Sequence, residues 1–519
     1  MDGSAARVRQ VEVLGVLSLA TDHVMGQQPE WGLRSCLLAL AIADRLGVPA
    51  AVRQDVFQVS LLRFVGCTGH AHEIAESFGD EIAFRSAVTA LDMAQPNVAI
   101  AQILRFAGTG KALPARWATV ARTLAAGRAF PELNFRMSCE VAGLLSPRLG
   151  TTDSARAALR HAFERWDGKG FPEGLRGDQI ALPVRIAAAA SDTVAMSQLL
   201  GPDEVQASLR ARSAGAHDPA VVAVLADDLP ALLAAADEGS AWDRVLAEDP
   251  CPNTVWQGAE LDDALTAVAD FTDLKSTFLT GHSRAVASLA AEAALATGQP
   301  PAAVERVRQA GWLHDLGRCA VPNSTWDRPG PLTEVQWEEV RLHPYRTERL
   351  LARCASLAEV GALAGGHHER MDGSGYHRGA QGSAIPAGAR LLAAADAYQA
   401  LVSDRPHRAA LSQTGAAQVL REKTSGLDPD AVSAVLRAAG HRAPRPRNPG
   451  ELSEREVEVL GLIARGLTNK QVARQLVISP KTAGHHVQHV YAKIGVTTRG
   501  AAALWAVQHG RLDPNGSPS

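Results

Sequence analysis

Apolar residues recur at helical spacing through nearly the whole chain, as in CLLALAIADRL (36–46) and ASLAAEAALA (287–296), whereas alternating β-branched runs are rare. The pattern predicts an all-α protein. Two Pro/Gly-rich breaks interrupt it: CPNT at 251–254, after which a new helical block begins, and APRPRNPG at 443–450, which cannot continue a helix. The predicted units are 10–245, 256–440 and 451–512, with 441–450 as the linker before the last.

The first two units repeat each other. WDGKGFPEG (166–174) returns as MDGSGYHRG (371–379). Around it Glu164, Arg165, Asp167, Gly168, Gly170, Gly174, Gly177, Ile180 and Arg185 reappear without a gap as Glu369, Arg370, Asp372, Gly373, Gly375, Gly379, Gly382, Ile385 and Arg390. Further out, LLRFVG (61–66) corresponds to WLHDLG (312–317), RIAAAASD (185–192) to RLLAAADA (390–397), and HDPAVVAVL (217–225) to LDPDAVSAVL (427–436). A match of that extent is an internal duplication.

Composition narrows the class. At 519 residues, 46% hydrophobic and 21% charged, the chain reads as a soluble globular protein of several domains, and no stretch approaches the ~18 uninterrupted apolar residues of a membrane span. The N-terminus MDGSAARVRQ lacks the apolar core of a secretory signal. Six cysteines without paired spacing indicate neither a disulfide framework nor a thiolate zinc site. A cytoplasmic setting without membrane contact is the expectation. The net charge of −3 conceals an asymmetry: from residue 441 onward there are 11 Lys and Arg against 5 Asp and Glu. A small basic tail on an acidic body points to nucleic acid as the tail's partner.

Histidines and aspartates accumulate in the second unit: His282, His314-Asp315, His343, His367-His368 and Asp396. Imidazole and carboxylate suit divalent iron, manganese or zinc. An adjacent His-Asp pair can give one metal its imidazole while the carboxylate bridges to a second. Two metals about 3.5–4 Å apart can activate water and neutralise charge building on a phosphoryl group. A single HD or HH pair is more often a cap or surface pair, and His217-Asp218 and His485-His486 in this chain are read that way. The ordered set is different.

In GHSRAVA, WLHDLGR, RLHPYRTERLL, HHERMDGSGYHRG and AADAYQALVSDRPHR, over about 270–440, the sequence resembles the HD-GYP family of HD-superfamily phosphohydrolases. The resemblance implies that His282, His314, Asp315 and Asp396 form the metal quartet common to HD proteins. It further implies that His343, His367 and His368 hold a second metal, with Asp315 bridging, and that two divalent ions, iron or manganese, are bound. Family members hydrolyse cyclic di-GMP. Tyr376, Arg405 and Arg408 match positions that approach the substrate, a guanidinium fork being suited to phosphate. The family's HDxGK lysine is Arg318 here, placed with Asp315 as catalytic. The proline of GYP is His377, and Phe278 stands where some members carry a glutamate for a third metal.

In the same register the first unit loses every ligand. His314-Asp315 becomes Arg63-Phe64, His367-His368 becomes Ala162-Phe163, and Asp396 becomes Ser191, while His282 falls near Trp31 and His343 near Met137. That unit is read as a degenerate copy. No receiver-type aspartate cluster or GxxxxGK[ST] loop accompanies it.

The tail LSEREVEVLGLIARGLTNKQVARQLVISPKTAGHHVQHVYAKIGV predicts four short helices. Ser453 and Glu456 make a capping box, Asn469 is expected to cap the second helix, Pro480 opens the third, and the fourth runs from about Arg499 to His509. Two helices joined by a short turn match a helix-turn-helix. The segment resembles the LuxR-type DNA-binding domain. Lys481, Thr482, His485 and His486 are thereby assigned to bases or phosphates, Thr468, Asn469 and Lys470 to the backbone, and the last helix to a homodimer. Val472, Leu476, Val487 and Ile494 are assigned to the core, and Ala483 and Gly484 to a face left open for DNA.

The expected protein is a DNA-binding regulator carrying a dinuclear-metal phosphodiesterase, with a cyclic dinucleotide as ligand. A non-catalytic nucleotide sensor and a phosphohydrolase for another substrate are the alternatives.

Overall fold

The computed structural model describes residues 7–422, 426–441, 452–497 and 499–508. Apart from His441, the predicted linker and the last residues of the tail lie outside that set. The described residues are almost wholly helical. Their only paired strands are Val8–Arg9 and Val255–Trp256, antiparallel, with Val8 opposite Trp256. The chain divides into two compact units, Met1–His441 and Arg442–Ser519.

Each strand of the pair leads into a buried helix, Gln10–Met25 in one half of the larger unit and Ala259–Asp273 in the other. From there the two halves use the same local devices. The next helix, Trp31–Arg45 or His282–Ala296, starts after a residue in left-handed backbone, Glu30 or Gly281. An aspartate at the end of the preceding helix fixes that entry. Asp22 accepts the Gly32 N–H at 2.9 Å, and Asp273 accepts the Ser283 N–H at 2.9 Å.

The repeated Asp-Gly loop is likewise held by one carboxylate in each half. Glu164 accepts from the N–H groups of Glu173 and Gly174, and Glu369 from those of Arg378 and Ala380. Farther on, Arg185 pairs with Asp218 at 2.6 Å and Arg390 with Asp428 at 2.6 Å, each aspartate also capping the helix that follows.

One close approach needs glycine. A Cβ on Gly317 would lie 2.1 Å from the His343 carbonyl, and one on Gly66 would lie 1.9 Å from that of Ser138. The first-half counterpart of His343 is therefore Ser138, one residue beyond the sequence estimate.

A continuous core of Leu, Val, Ile and Ala from both halves fills the larger unit. The smaller unit has its own core, built by Val459, Leu460, Ile463, Val472, Val487 and Val490. Its helices are Glu454–Ala464, Asn469–Gln475, Pro480–Ile494 and Arg499–Gln508. Ser453 and Glu456 form the predicted capping box. The cap of the second helix is Thr468 rather than Asn469: its hydroxyl accepts the Gln471 N–H, and Asn469 is the first helical residue. A hydroxyl one residue earlier reaches the exposed N–H with the extended backbone that a cap requires.

Candidate metal centre and DNA-binding helix

His314 follows the helix Pro301–Leu313, His343 opens the helix His343–Leu351, His367 follows Ala358–Gly365, and Asp396 lies within Ala387–Val402. These segments bring their side chains together around Asp315. One Asp315 oxygen lies 3.2 Å from His314 Nε2 and 3.9 Å from His282 Nε2. The other lies 3.3 Å from His343 Nε2 and 3.7 Å from His367 Nε2. Asp396 completes the first side, 3.1 Å from His282 Nε2 and 3.9 Å from His314 Nε2. The histidines and Asp315 fall into two groups able to hold a cation, His282, His314 and Asp315 on one side and His343, His367 and His368 on the other.

The imidazoles are oriented by backbone. His314 Nδ1–H donates to the Gly311 carbonyl at 2.8 Å, His343 Nδ1–H to Val340 at 2.6 Å, and His367 Nδ1–H to Ala364 at 2.6 Å. A carbonyl can only accept, so the proton sits on Nδ1 and the Nε2 lone pair points inward. His343 Nε2 and His367 Nε2 then face each other at 3.2 Å, two acceptors with nothing between them to share. His314 Nε2, His282 Nδ1 and His368 Nδ1 are also buried without a hydrogen-bond partner. Such a cluster calls for a cation, and its donors, imidazole nitrogen and carboxylate oxygen, are those of a divalent transition metal.

The buried carboxylates attract positive charge to the cluster, which in the absence of a metal ion falls on His314. Burial raises the Asp315 carboxyl, but Arg318 and His314 outweigh it and hold the group well below the usual carboxylate range. Burial lowers His314, yet Asp315 and Asp396 carry it up to about 9. Burial, reinforced by the neighbouring imidazoles, takes His367 down to about 3 and His368 well below its ordinary value.

Arg318 is buried, ion-paired to Asp315, and stacked 3.5 Å from the ring centroid of Trp326. Tyr376 stacks on His368, centroids 4.4 Å apart. Arg405 is half-buried, and burial together with the Arg318 charge lowers its guanidinium against the opposing pull of Asp396 and Asp315. Arg408 has a different employment, donating to the carbonyls of Ala400 and Leu401 at the end of the helix Ala387–Val402.

Three supporting residues escaped the sequence reading. Trp326 clamps Arg318 and stands nearly perpendicular to the His343 ring, centroids 5.4 Å apart. Thr347 accepts from Gly317 N–H and donates to the His314 carbonyl at 2.9 Å. Asp273 holds the helix of His282 through Ser283. Only the tryptophan close behind the His-Asp pair offered any signal, an aromatic within reach of a new arginine.

In the smaller unit Ser479 caps the helix Pro480–Ile494, whose Lys481, Thr482 and His485 are exposed and whose His486 is half-buried. Thr468 and Lys470 are exposed, and Asn469 is half-buried. Ala483 departs from expectation. It is fully buried in the core with Val487 and Val490, so it belongs to the inner face of this helix. Lys493 is exposed and pairs with Glu456 at 2.7 Å.

Residues 266–431 match the HD domain family, and residues 450–506 match the bacterial regulatory proteins of the luxR family. The chain joins an HD domain to a LuxR-type DNA-binding domain. The HD-bearing part is 28% identical over 434 residues to 3'3'-cGAMP-specific phosphodiesterase 3 of Vibrio cholerae serotype O1, covering 82% of this chain and 94% of the relative. It is 42% identical over 137 residues to the cyclic di-GMP phosphodiesterase response regulator RpfG of Xanthomonas campestris pv. campestris, covering 26% of this chain and 36% of that one. A crystal structure of a cyclic GMP-AMP specific phosphodiesterase of V. cholerae shares the fold, with TM-score 0.58 and 24% identity over 84% of this chain and 99% of its own. HD-domain phosphohydrolases are metal-dependent, which fits the donors gathered here. Among the described residues no single helix is long and apolar enough to cross a membrane.

Proposed function

We propose that the HD domain is a dinuclear-metal phosphodiesterase that opens a cyclic dinucleotide, and that its state governs DNA binding by the LuxR-type domain. The observation that carries the reading is Asp315, whose two carboxylate oxygens face two separate groups of inward-pointing imidazoles. The names of the relatives, specific for 3'3'-cGAMP and for cyclic di-GMP, supply the substrate class.

In this reading His282, His314, Asp315 and Asp396 hold one ion, and His343, His367 and His368 the other with Asp315 shared. Iron and manganese are the preferred metals, given imidazole and carboxylate donors. Two such ions, when bound, neutralise charge developing on a phosphoryl group. The chain's own residues do the rest. Backbone carbonyls fix the tautomers of His314, His343 and His367, so these ligands enter without reorganisation. Arg318 balances Asp315, and with Arg405 it places guanidinium charge beside the cluster, where a phosphate is received. Tyr376 holds His368 by stacking. The first half of the larger unit is a degenerate copy without ligands.

In the LuxR-type domain, Lys481, Thr482, His485 and His486 reach the major groove, and Thr468, Asn469 and Lys470 approach the phosphates. Two copies of the chain bind together, because a helix-turn-helix reads paired half-sites as a dimer. Metal-site occupancy shifts DNA affinity to the extent that the two states bind nucleotide differently.

The test is metal content and turnover of cyclic di-GMP and 3'3'-cGAMP on one purified sample, with Asp315→Ala beside it. Two ions per chain and turnover that disappears in the variant are the expected result. Two ions without turnover of either nucleotide would replace the enzyme with a sensor. That second reading is favoured by one observation, that Arg318 is already engaged by Asp315 and Trp326.

A further inference from the structure

The two halves of the larger unit meet at a buried polar knot beside the metal cluster. Glu81, in the helix Glu81–Thr89 of the first half, is fully buried. Its carboxylate accepts from Lys275 Nζ at 2.6 Å and from the Asn323 N–H at 3.0 and 3.1 Å, both in the second half. Lys275 also donates to the Val321 carbonyl at 2.7 Å and to Asn323 Oδ1 at 2.9 Å. All the charge in the knot is thus paired in a dry interior, where such bonds are strong and their loss is costly.

The knot holds one short segment. Asn323 begins the turn of helix Asn323–Trp326, and Trp326 ends it. The Trp326 ring carries the Arg318 guanidinium on its face and stands nearly perpendicular to the His343 ring. On the far side of that turn Asp327 is held by Ser276 at 2.6 Å, with His72 of the first half 3.5 Å away. A second contact adds to this: the first half's helix Gln10–Met25 packs on Leu316–Ala320, the turn that includes Arg318.

The arrangement is one-directional. The register that pairs His314 with Arg63 puts Val24 opposite Lys275 and His72 opposite Asn323. The first half has no lysine at that place to receive a carboxylate in return. The Glu81–Lys275 pair thus joins a fully buried acid of the first half to a buried base of the half that bears the imidazoles.

We propose that the metal-free first half is a positioning element for the metal centre of the second, acting through Glu81. Its carboxylate seats Asn323 and Lys275, they seat Trp326, and Trp326 sets Arg318 against Asp315 and packs against the His343 ring. Glu81 touches no ligand and is a positioning residue. The inference rests on the metal reading of the cluster and adds to it a task for the copy that lost its own ligands.

The experiment titrates the metal-free full-length protein with Mn2+ and follows binding directly, with helical content measured on every sample. Glu81→Gln is expected to weaken Mn2+ about tenfold or more, the effect usual for a group that orients ligands. Should that variant fail to fold because Lys275 is left buried and unpaired, the pair Glu81→Met with Lys275→Met removes both charges and still deprives Asn323 of its acceptor. Trp326→Leu should give the same loss, and combining it with the Glu81 change should add nothing further. Arg148→Met is the comparison. Arg148 also joins the halves, through Asp263 and Asp270, but away from the knot, and its removal should leave Mn2+ affinity unchanged. Folded Glu81 variants that bind Mn2+ like the parent overturn the inference alone, as does an equal loss in Arg148→Met, which would mean general loosening. A parent protein that takes up no Mn2+ overturns the metal reading itself, and the inference with it.

Discussion

The two halves of the larger unit share a frame and differ in what fills it. Asp22 and Asp273 fix the same helix entry, Glu164 and Glu369 the same loop, Arg185 and Arg390 the same cap. Where the second half gathers imidazoles around Asp315, the first has an aromatic plug. Trp31 lies 4.9 Å from Phe64, and Phe163 lies 4.7 Å from Phe135, centroid to centroid. The Arg63 guanidinium sits between Phe64 and Phe163, 5.4 and 5.5 Å from their centroids. Its Nε and one terminal nitrogen are buried without a hydrogen-bond partner, and no carboxylate among the described residues comes within ion-pair distance. The comparison teaches that the repeated Asp-Gly loop belongs to the backbone frame and not to metal binding, since the half without ligands keeps it.

The comparison can be tested at matched positions. The largest effect belongs to Asp315→Ala, which removes the carboxylate common to both ion groups. Metal affinity should fall by more than ~100-fold, beyond the range of orienting residues, as read by metal analysis after dialysis. Phe64→Ala, its counterpart, should leave metal content untouched.

Next comes the pair of buried arginines. Arg318→Met strands the Asp315 carboxylate and should cost about 3–5 kcal/mol in the metal-free protein, measured by chemical denaturation. Arg63→Met removes a buried cation with no carboxylate within ion-pair distance among the described residues, and should be neutral or stabilising by about 1 kcal/mol. Equal losses from the two would mean that the halves are not the separate environments described above.

A smaller and symmetrical effect is expected from the shared frame. Arg185→Leu and Arg390→Leu each remove a charged hydrogen bond to a capping aspartate, and each should cost about 2 kcal/mol. A marked inequality would show that one half no longer depends on the frame. Smallest is Lys481→Ala in the LuxR-type domain. It should lower DNA affinity and reduce the salt dependence by about one phosphate contact while leaving both halves unchanged.

Much of this was legible along the chain. Caps, breaks and helical spacing are local, so the helices of the tail and the Ser453 capping box follow from residue types a few positions apart. The candidate metal-binding residues were legible because the order of His282, His314-Asp315, His343, His367-His368 and Asp396 matches a known family's motifs. The exact face of a helix was harder. Ala483 was placed toward DNA, and the structure puts it in the core: it lies four residues before Val487 and seven before Val490, on the apolar stripe of the helix, a spacing that its small side chain makes easy to overlook. Arg408 looked like a phosphate contact, but its guanidinium closes the end of a helix, a use that depends on the backbone folding back beside it.

The amino-acid sequence by itself determined the helical class, the duplication, the two kinds of domain and the residues able to hold metal. The helical class rests on spacings within single segments, the duplication on the match between segments, and the two kinds of domain and the candidate metal residues on resemblance to known families. Only the tertiary structure decided that the two oxygens of Asp315 divide the imidazoles into two groups, that Trp326 stands over Arg318, and that Glu81 of one half ties down a turn of the other. Glu81 and Asn323 are far apart along the chain, and their contact comes from the burial of both halves in one core. No local spacing records it, because packing free energy is a property of the assembled interior and not of any one stretch of chain.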